Sequence, residues 1–400
     1  MKMPMVDFLV SLGDPKNYAE FTNDPSSYMS RFELLDEQKS AIKKKIKYAI
    51  RRFASDEMKH ISLHARIMHE IYTEGDPNFR LMEFIERGLD NSVDMDYDDY
   101  TDTTFNNNDQ GPQLTDLEDF LPSKLAEMRY FPHLFDGQAR PSTDKELVFL
   151  GTGIRGASQI TPEAEYHIRS ADKVFYCVGD LVIERKIMNL NSTSEDLYPL
   201  YGDEKPRRET YEEMVSVCYG ALKVNRKVAV IFYGHPGIFV YASHKAIRMA
   251  RAEGIKAYMA PGISSLDCLF ADIGIDPSRF GCQIFEATDL LVKRRKPGID
   301  TAVIIMQVGC VGDTGFRFKG YERRNMPILQ EYLSEIYGDN YEVILYEAAS
   351  YPECEPRIRL IPLFNLVESS PTGITTMYIP PKIQAAVDPE MISRLGLPAR

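Results

Sequence analysis

The chain is short of positive charge. Its 400 residues hold 47 Lys and Arg against 59 Asp and Glu, a formal net charge of −12. That deficit excludes a nucleic-acid partner gripped through phosphate contacts. The shortfall is local: residues 91–120 carry nine acids (Asp94, Asp96, Asp98, Asp99, Asp102, Asp109, Asp116, Glu118, Asp119) and no Lys or Arg. Long apolar runs are also missing. None reaches the roughly 18 residues of a membrane span, so no membrane partner is expected. Asp7 and Asp14 interrupt what would be the hydrophobic part of a secretory signal. The six cysteines, at 177, 218, 268, 282, 310 and 354, form no CxxC pair. They read as reduced core thiols of a cytoplasmic protein. Histidines are few; His60 and His64 have i,i+4 spacing, but no carboxylate or cysteine completes a ligand set. A solvated helix face is expected there, and no metal.

Apolar content of 44% supplies sizeable cores for two or three domains. Residues 6–22 read as a short amphipathic helix, followed by one starting at Asp36 with Ile42, Ile46, Ala49, Ile50 and Phe53, and one carrying Leu63, Ile67 and Ile71. Residues 1–90 are thus expected to form a small helical module, and 91–145 an acidic linker or arm. Tyr97, Tyr100 and Phe105 would anchor that arm on another surface. From residue 146 short apolar runs alternate with helical stretches. Strands are expected at 147–150, 173–177, 228–232, 257–259, 303–306 and 343–346, with 374–379 closing the domain and 384–400 a tail. This βα alternation predicts an α/β fold of two mostly parallel units split near 261–276. Ligands of such sheets bind beyond the carboxyl ends of the strands.

Three strand-end loops stand out. Gly151-Thr152-Gly153-Ile154-Arg155-Gly156 has GxGxxG spacing, but a helix starting only at Thr161-Pro162 leaves a nucleoside site and a plain strand–helix turn both open. Tyr233-Gly234-His235-Pro236-Gly237 places two glycines and a histidine at a strand end, a position that favours ligand contact. Pro261-Gly262-Ile263-Ser264-Ser265 offers hydroxyls to a carboxylate or ribose, and Ser264 ahead of Asp267 also suits a helix cap. Tyr201, Arg207 and Tyr211 follow Leu197-Tyr198-Pro199-Leu200. If they converge, a guanidinium beside a phenol favours the phenolate and makes a base of it. Otherwise the tyrosines plug a core and Arg207 makes a surface ion pair.

Five stretches, LYPLYGDEKPRRETY (197–211), FYGHPGIFV (232–240), PGISSLDCLFADIGIDP (261–277), QVGCVGD (307–313) and TTMYIPP (375–381), resemble in order the methyltransferase domain of borosin peptide-backbone α-N-methyltransferases of the omphalotin precursor type. These are tetrapyrrole-methylase-like (class III) enzymes that use S-adenosylmethionine. The resemblance covers residues 146–381, within a methyltransferase domain expected over 146–383, and implies two α/β domains with the cofactor in the cleft between them. It implies catalytic roles for Tyr201, Arg207, Tyr211 and Tyr233, with Asp267 supporting its loop. It implies cofactor contacts from Gly151, His235, Ile238, Phe239, Ser264, Ser265, Gln307, Ala348 and Thr376, and a homodimer. Residues 7–42, with Asp7-Phe8-Leu9, Leu12-Gly13, Tyr18, Pro25, Met29, Asp36-Glu37-Gln38 and Ile42, are similar to the helical borosin-binding domain that tethers a precursor peptide. In fused members that module follows the catalytic domain. Here it comes first, and the stretch after Pro381 carries no Val/Ile/Leu/Gly-rich core. A peptide supplied in trans is therefore expected, with the module bound to the enzyme itself or to its dimer mate. The alternatives are a small-molecule methylase of the same fold and a scaffold that binds peptide without turnover.

Overall fold

A computed structural model describes residues 2–74, 143–203, 205–317, 320–321 and 323–398. Almost all of the expected arm at 91–145, with its three aromatics, lies outside them.

Prolines and aspartates punctuate the N-terminal helices: α1 (Pro4–Ser11), α2 (Pro15–Asn23), α3 (Pro25–Met29), α4 (Asp36–Lys43), α5 (Lys47–Met58) and α6 (Leu63–Glu74). Proline starts α1, α2 and α3, where its missing N–H costs nothing. Asp14 caps α2 by accepting from the Lys16 and Asn17 amides. The single helix expected over 6–22 is therefore two. The one expected from Asp36 through Phe53 breaks at Lys45, whose φ is 54°. Phe8 sits at the centre of the module, with Phe21 and Phe32 edge-on at 5.5 and 5.4 Å.

The first sheet is built from β1 (Glu146–Gly151), β2 (Lys173–Cys177), β3 (Ser194–Asp196), β4 (Lys227–Phe232) and β5 (Lys256–Ala260). Its order is β3-β2-β4-β1-β5, parallel throughout. Helices α7 (Pro162–Ser170), α8 (Leu181–Leu190), α9 (Arg207–Ala221) and α10 (Tyr241–Ala252) connect its strands, and α11 (Ser265–Ile273) leads to the second sheet. That sheet contains β6 (Cys282–Glu286), β7 (Ala302–Met306), β8 (Glu342–Glu347), β9 (Arg357–Pro362) and β10 (Thr376–Ile379), with α12 (Ala287–Val292) and α13 (Met326–Tyr337) between strands. Its order is β6-β7-β10-β8-β9, and only β6–β7 is parallel. The expectation of two mostly parallel units is thus corrected for the second. There β10 returns between β7 and β8, antiparallel to both, and β9 folds back directly on β8. Helix α14 (Pro389–Arg394) lies in the exposed stretch that follows.

The N-terminal helices do not stand apart. Helices α1 and α5 pack on α8, and α6 packs on the 3-10 turn Tyr198–Leu200. One apolar cluster joins Phe8, Leu9 and Met58 to Leu181, Val182, Ala349 and Tyr351. Gly13 permits the approach: a Cβ there would lie 2.8 Å from the Cβ of Ala157. Polar ties run from Arg51 Nη2 to Ser350 Oγ at 2.7 Å, from Tyr18 Oη to the Pro352 carbonyl at 3.2 Å, and from Lys45 to Glu355 at 3.1 Å. No described helix is long and apolar enough to cross a membrane.

Candidate functional site

The three strand-end loops meet at the carboxyl edge of the first sheet. Gly153 and Gly234, with φ of 72° and 70°, exchange backbone hydrogen bonds of 3.2 and 3.1 Å. A Cβ on Gly262 would stand 2.8 Å from the Gly151 Cα, and one on Gly151 would strike the Gly234 carbonyl. Only glycine fits at these contacts. The GxGxxG stretch is filled by its own chain: Gln159 Oε1 accepts from the Ile154 and Arg155 amides at 2.7 and 2.8 Å. Those two donors are engaged, so the loop has no phosphate cradle at them.

His235 Nδ1 accepts from the Gly237 amide at 3.0 Å. Burial lowers its pKa, with Asp267 acting against the shift. Ser264 caps α11. Its amide and hydroxyl both donate to Asp267 Oδ2 at 2.7 Å, and the Asp267 amide donates back to the Ser264 hydroxyl at 3.3 Å. Asp267 thus supports its loop, and Ser265 follows as the first helical residue. Phe239 and Gln307 both hold left-handed backbone, with φ of 56° and 58°. Strain of this kind in side-chain-bearing residues collects at ligand sites. Thr376 is buried, with its hydroxyl 3.7 Å from Met306 Sδ. Ile238 and Ile263 of the first unit share an apolar cluster with Met306 and Ala348 of the second. Ile238 and Ala348, two of the residues expected to hold a cofactor, thus meet across the two units. Close backbone approach, hydroxyls and apolar walls suit a nucleoside bearing a flat base and a sugar.

The phenol–guanidinium group forms on the neighbouring edge. Tyr201 follows the 3-10 turn Tyr198–Leu200, while Arg207 and Tyr211 lie in the first two turns of α9. The Arg207 amide donates to the Thr314 carbonyl at 3.0 Å and its Nε to the Gly315 carbonyl at 3.1 Å. These bonds fix the side chain. Tyr201 and Tyr211 bring their hydroxyls together as hydrogen-bonding neighbours. Burial pushes both phenols up. For Tyr211 the nearby Arg207 and the Tyr201 hydroxyl pull the other way, whereas Cys177 and Tyr211 push Tyr201 further up. The expectation that Arg207 lowers a phenol is right in sign for Tyr211, but desolvation is larger, and the net shift is upward. Burial also works against the Arg207 charge; Tyr321, Cys310 and Tyr211 outweigh it and hold the proton on.

Tyr233 stands outside this trio. It is 39% exposed, and its electrostatic neighbours are Arg51, Asp180 and Cys268. Several residues at the site carry no signal in sequence spacing. The Arg207 guanidinium lies 4.9 Å from the Tyr321 ring centroid and hydrogen-bonds the phenol, whose pKa burial raises to about 12. Phe316 packs at 4.2 Å from Tyr201. His64 is buried against Tyr198 with ring centroids 4.7 Å apart, so the expected solvated helix face is corrected for this residue. Only the fold brings these groups more than a hundred residues across the sequence.

A parallel sheet followed by a mixed sheet, with glycine loops meeting at the carboxyl edge of the first, is a class III methylase architecture. The family model of the Tetrapyrrole (Corrin/Porphyrin) Methylases matches residues 146–360, and the chain belongs to that family. Its relatives include a methyltransferase/ribosomally synthesized type III borosin cyclic peptide precursor of Anomoporia bombycina, 43% identical over 63% of this chain and 30% of its own. The dendrothelin A precursor of Dendrothele bispora is 39% identical over 66% of this chain and 63% of its own. The omphalotin A precursor of Omphalotus olearius is 39% identical over 63% and 61%. The chain thus spans less than two thirds of the length of each. Among solved structures, a uroporphyrin-III-C-methyltransferase of Thermus thermophilus has 15% identity and a TM-score of 0.43, covering 64% of this chain and 99% of that one.

Proposed function

We propose that the protein methylates backbone amide nitrogens of a ribosomally made peptide, supplied in trans, using S-adenosylmethionine. The observation that carries the reading is the hydrogen-bonded pair Tyr201–Tyr211 beside Arg207. An amide nitrogen is a poor nucleophile because its lone pair is delocalised into the carbonyl. Attack requires loss of the N–H proton and stabilisation of the oxygen that takes the charge. Tyr211 is the base: its phenolate receives the amide proton, and Tyr201 donates to that phenolate. Arg207, held in place by Gly315, steadies both the phenolate and the developing imidate oxygen. Tyr233 lines the peptide approach. Gly151, His235, Ile238, Phe239, Ser264, Ser265, Gln307, Ala348 and Thr376 would hold the cofactor. When bound, S-adenosylmethionine supplies an electrophilic methyl on a sulfonium.

The named relatives are themselves methyltransferases and peptide precursors, which favours a peptide over a tetrapyrrole substrate. Tyr233, Phe239 and Tyr241 are 39%, 49% and 38% exposed at the site edge, which suits cover by a second copy in a homodimer. The six free thiols fit a cytoplasmic enzyme. Mass spectrometry after incubation with S-adenosylmethionine, with and without a Val/Ile/Leu/Gly-rich peptide, tests the proposal. One-methylene increments on the peptide are expected. Arg207→Ala should keep cofactor affinity and lose at least about a hundredfold in turnover. Wild-type turnover in that variant would refute the mechanism.

A further inference from the structure

The N-terminal helices reach the 3-10 turn that precedes Tyr201. Helix α6 enters the interface at Ser62, which is buried near the carboxyl of Glu184 on α8. Ser62 Oγ also accepts from the Ala65 amide at 3.1 Å. This caps the first turn of α6, which packs on the Tyr198–Leu200 turn. His64, 7% exposed, projects from that turn. Its ring lies beside the Gly179 backbone and meets Tyr198 edge-on, at 4.7 Å between centroids and 73° between planes. Tyr198 in turn lies 5.5 Å from Tyr201 and 5.9 Å from Phe316. The Tyr201 amide donates to the Tyr198 carbonyl at 3.0 Å, so a backbone bond as well as a ring contact ties the two tyrosines.

We infer that His64 is a positioning residue for methyl transfer, holding Tyr198 and through it the hydroxyl that Tyr201 presents to Tyr211. This rests on the proposed function for its catalytic consequence, and on geometry alone for the positioning. A methyl-transfer site tolerates little displacement of a proton-handling group, since an error of about 1 Å can cost about a hundredfold in rate. Burial and the charge of Arg51 keep the imidazole neutral, with a pKa lowered to about 4. The contact is therefore aromatic packing at physiological pH, and a phenyl ring can replace it.

The test uses the full chain with S-adenosylmethionine and the Val/Ile/Leu/Gly-rich peptide. His64→Ala should lower kcat roughly ten- to a hundredfold with KM for the peptide and cofactor affinity little changed. His64→Phe should recover most of the loss. Hydrogen exchange of the segment 197–201 should accelerate in the Ala variant and stay protected in the Phe variant. Wild-type kcat in His64→Ala overturns the inference. So does an equal loss in Ala and Phe variants that tracks their loss of folded protein. If the wild-type chain leaves the peptide unmethylated, the proposed function fails, and the exchange rates alone decide whether His64 holds the turn.

Discussion

At the residue scale, the two central phenols are unequal. Tyr211 has the Arg207 guanidinium beside it to favour its phenolate, whereas Cys177 and Tyr211 beside Tyr201 hold that phenol's proton on. Tyr211→Phe should therefore abolish single-turnover methyl transfer, and Tyr201→Phe should only slow it. Burial keeps the Tyr211 pKa above the ordinary phenol value, so the phenolate is the minor form at neutral pH and its fraction grows with pH. The single-turnover rate should rise about tenfold per pH unit through the neutral range. A flat profile would remove Tyr211 from the role of base. Gly151→Ala is a different kind of lesion: the added methyl meets the Gly234 carbonyl, so the β1 and β4 loops must part. Isothermal titration with S-adenosylhomocysteine should show loss of binding, while the phenol–guanidinium group is left intact.

At the element scale, one carboxylate organises the module. Glu57 on α5 accepts from the Met5 and Val6 amides at the start of α1, both at 2.9 Å, and from Gln38 Nε2 at 3.1 Å. It does the work of a cap for a helix whose own N-cap, Met3, cannot. Glu57→Ala strands these donors and should destabilise the fold by about 1–3 kcal/mol, read as a lower urea midpoint. Nothing in spacing announces such a long-range cap. The legible elements were those whose patterns are local: β1, β2, β4, β5, β7 and β8 are apolar runs, and Thr161-Pro162 marks the start of α7. The missed strands lack that pattern. β3 is three polar residues. β9 inverts the rule, with Arg357 and Arg359 half-buried while Ile358 and Leu360 are 43% and 59% exposed. For the site, strand-end loops were legible because glycine and serine clusters mark them. The contributions of Tyr321, Phe316 and His64 were not, because they depend on which distant segments the fold brings together.

At the scale of the whole molecule, the interface between module and catalytic domain buries carboxyls that neither part would tolerate ionised. Glu353 follows β8 in the loop that receives Tyr18. It is 4% exposed, and neither of its oxygens has a hydrogen-bond partner among the described residues. Burial, reinforced by Asp180 and opposed by Lys45, pushes its pKa up to about 7. Glu184 is shifted the same way beneath Ser62, and Asp196, beside the 198–200 turn, rises to about 6. A carboxyl whose folded pKa exceeds its unfolded value binds more protons in the native state. Its contribution is complete below the unfolded pKa and is lost as pH rises through the folded one. For Glu353 that window runs from its ordinary 4.5 to about 7. His64, lowered from 6.5 to about 4, acts in the opposite direction, losing stability as pH falls through that interval. The two partly cancel in the wild-type chain, so the informative quantity is a difference between proteins. Glu353→Gln keeps the shape and removes the titration. At pH 4, below that window, its urea midpoint should match that of the wild type. At pH 8, where the wild-type chain must ionise a buried carboxyl, the Gln variant should be the more stable, by at most about 3 kcal/mol. Equal stability of the two at pH 8 would mean that the carboxyl of Glu353 reaches water, and that the module does not seal this face of the catalytic domain.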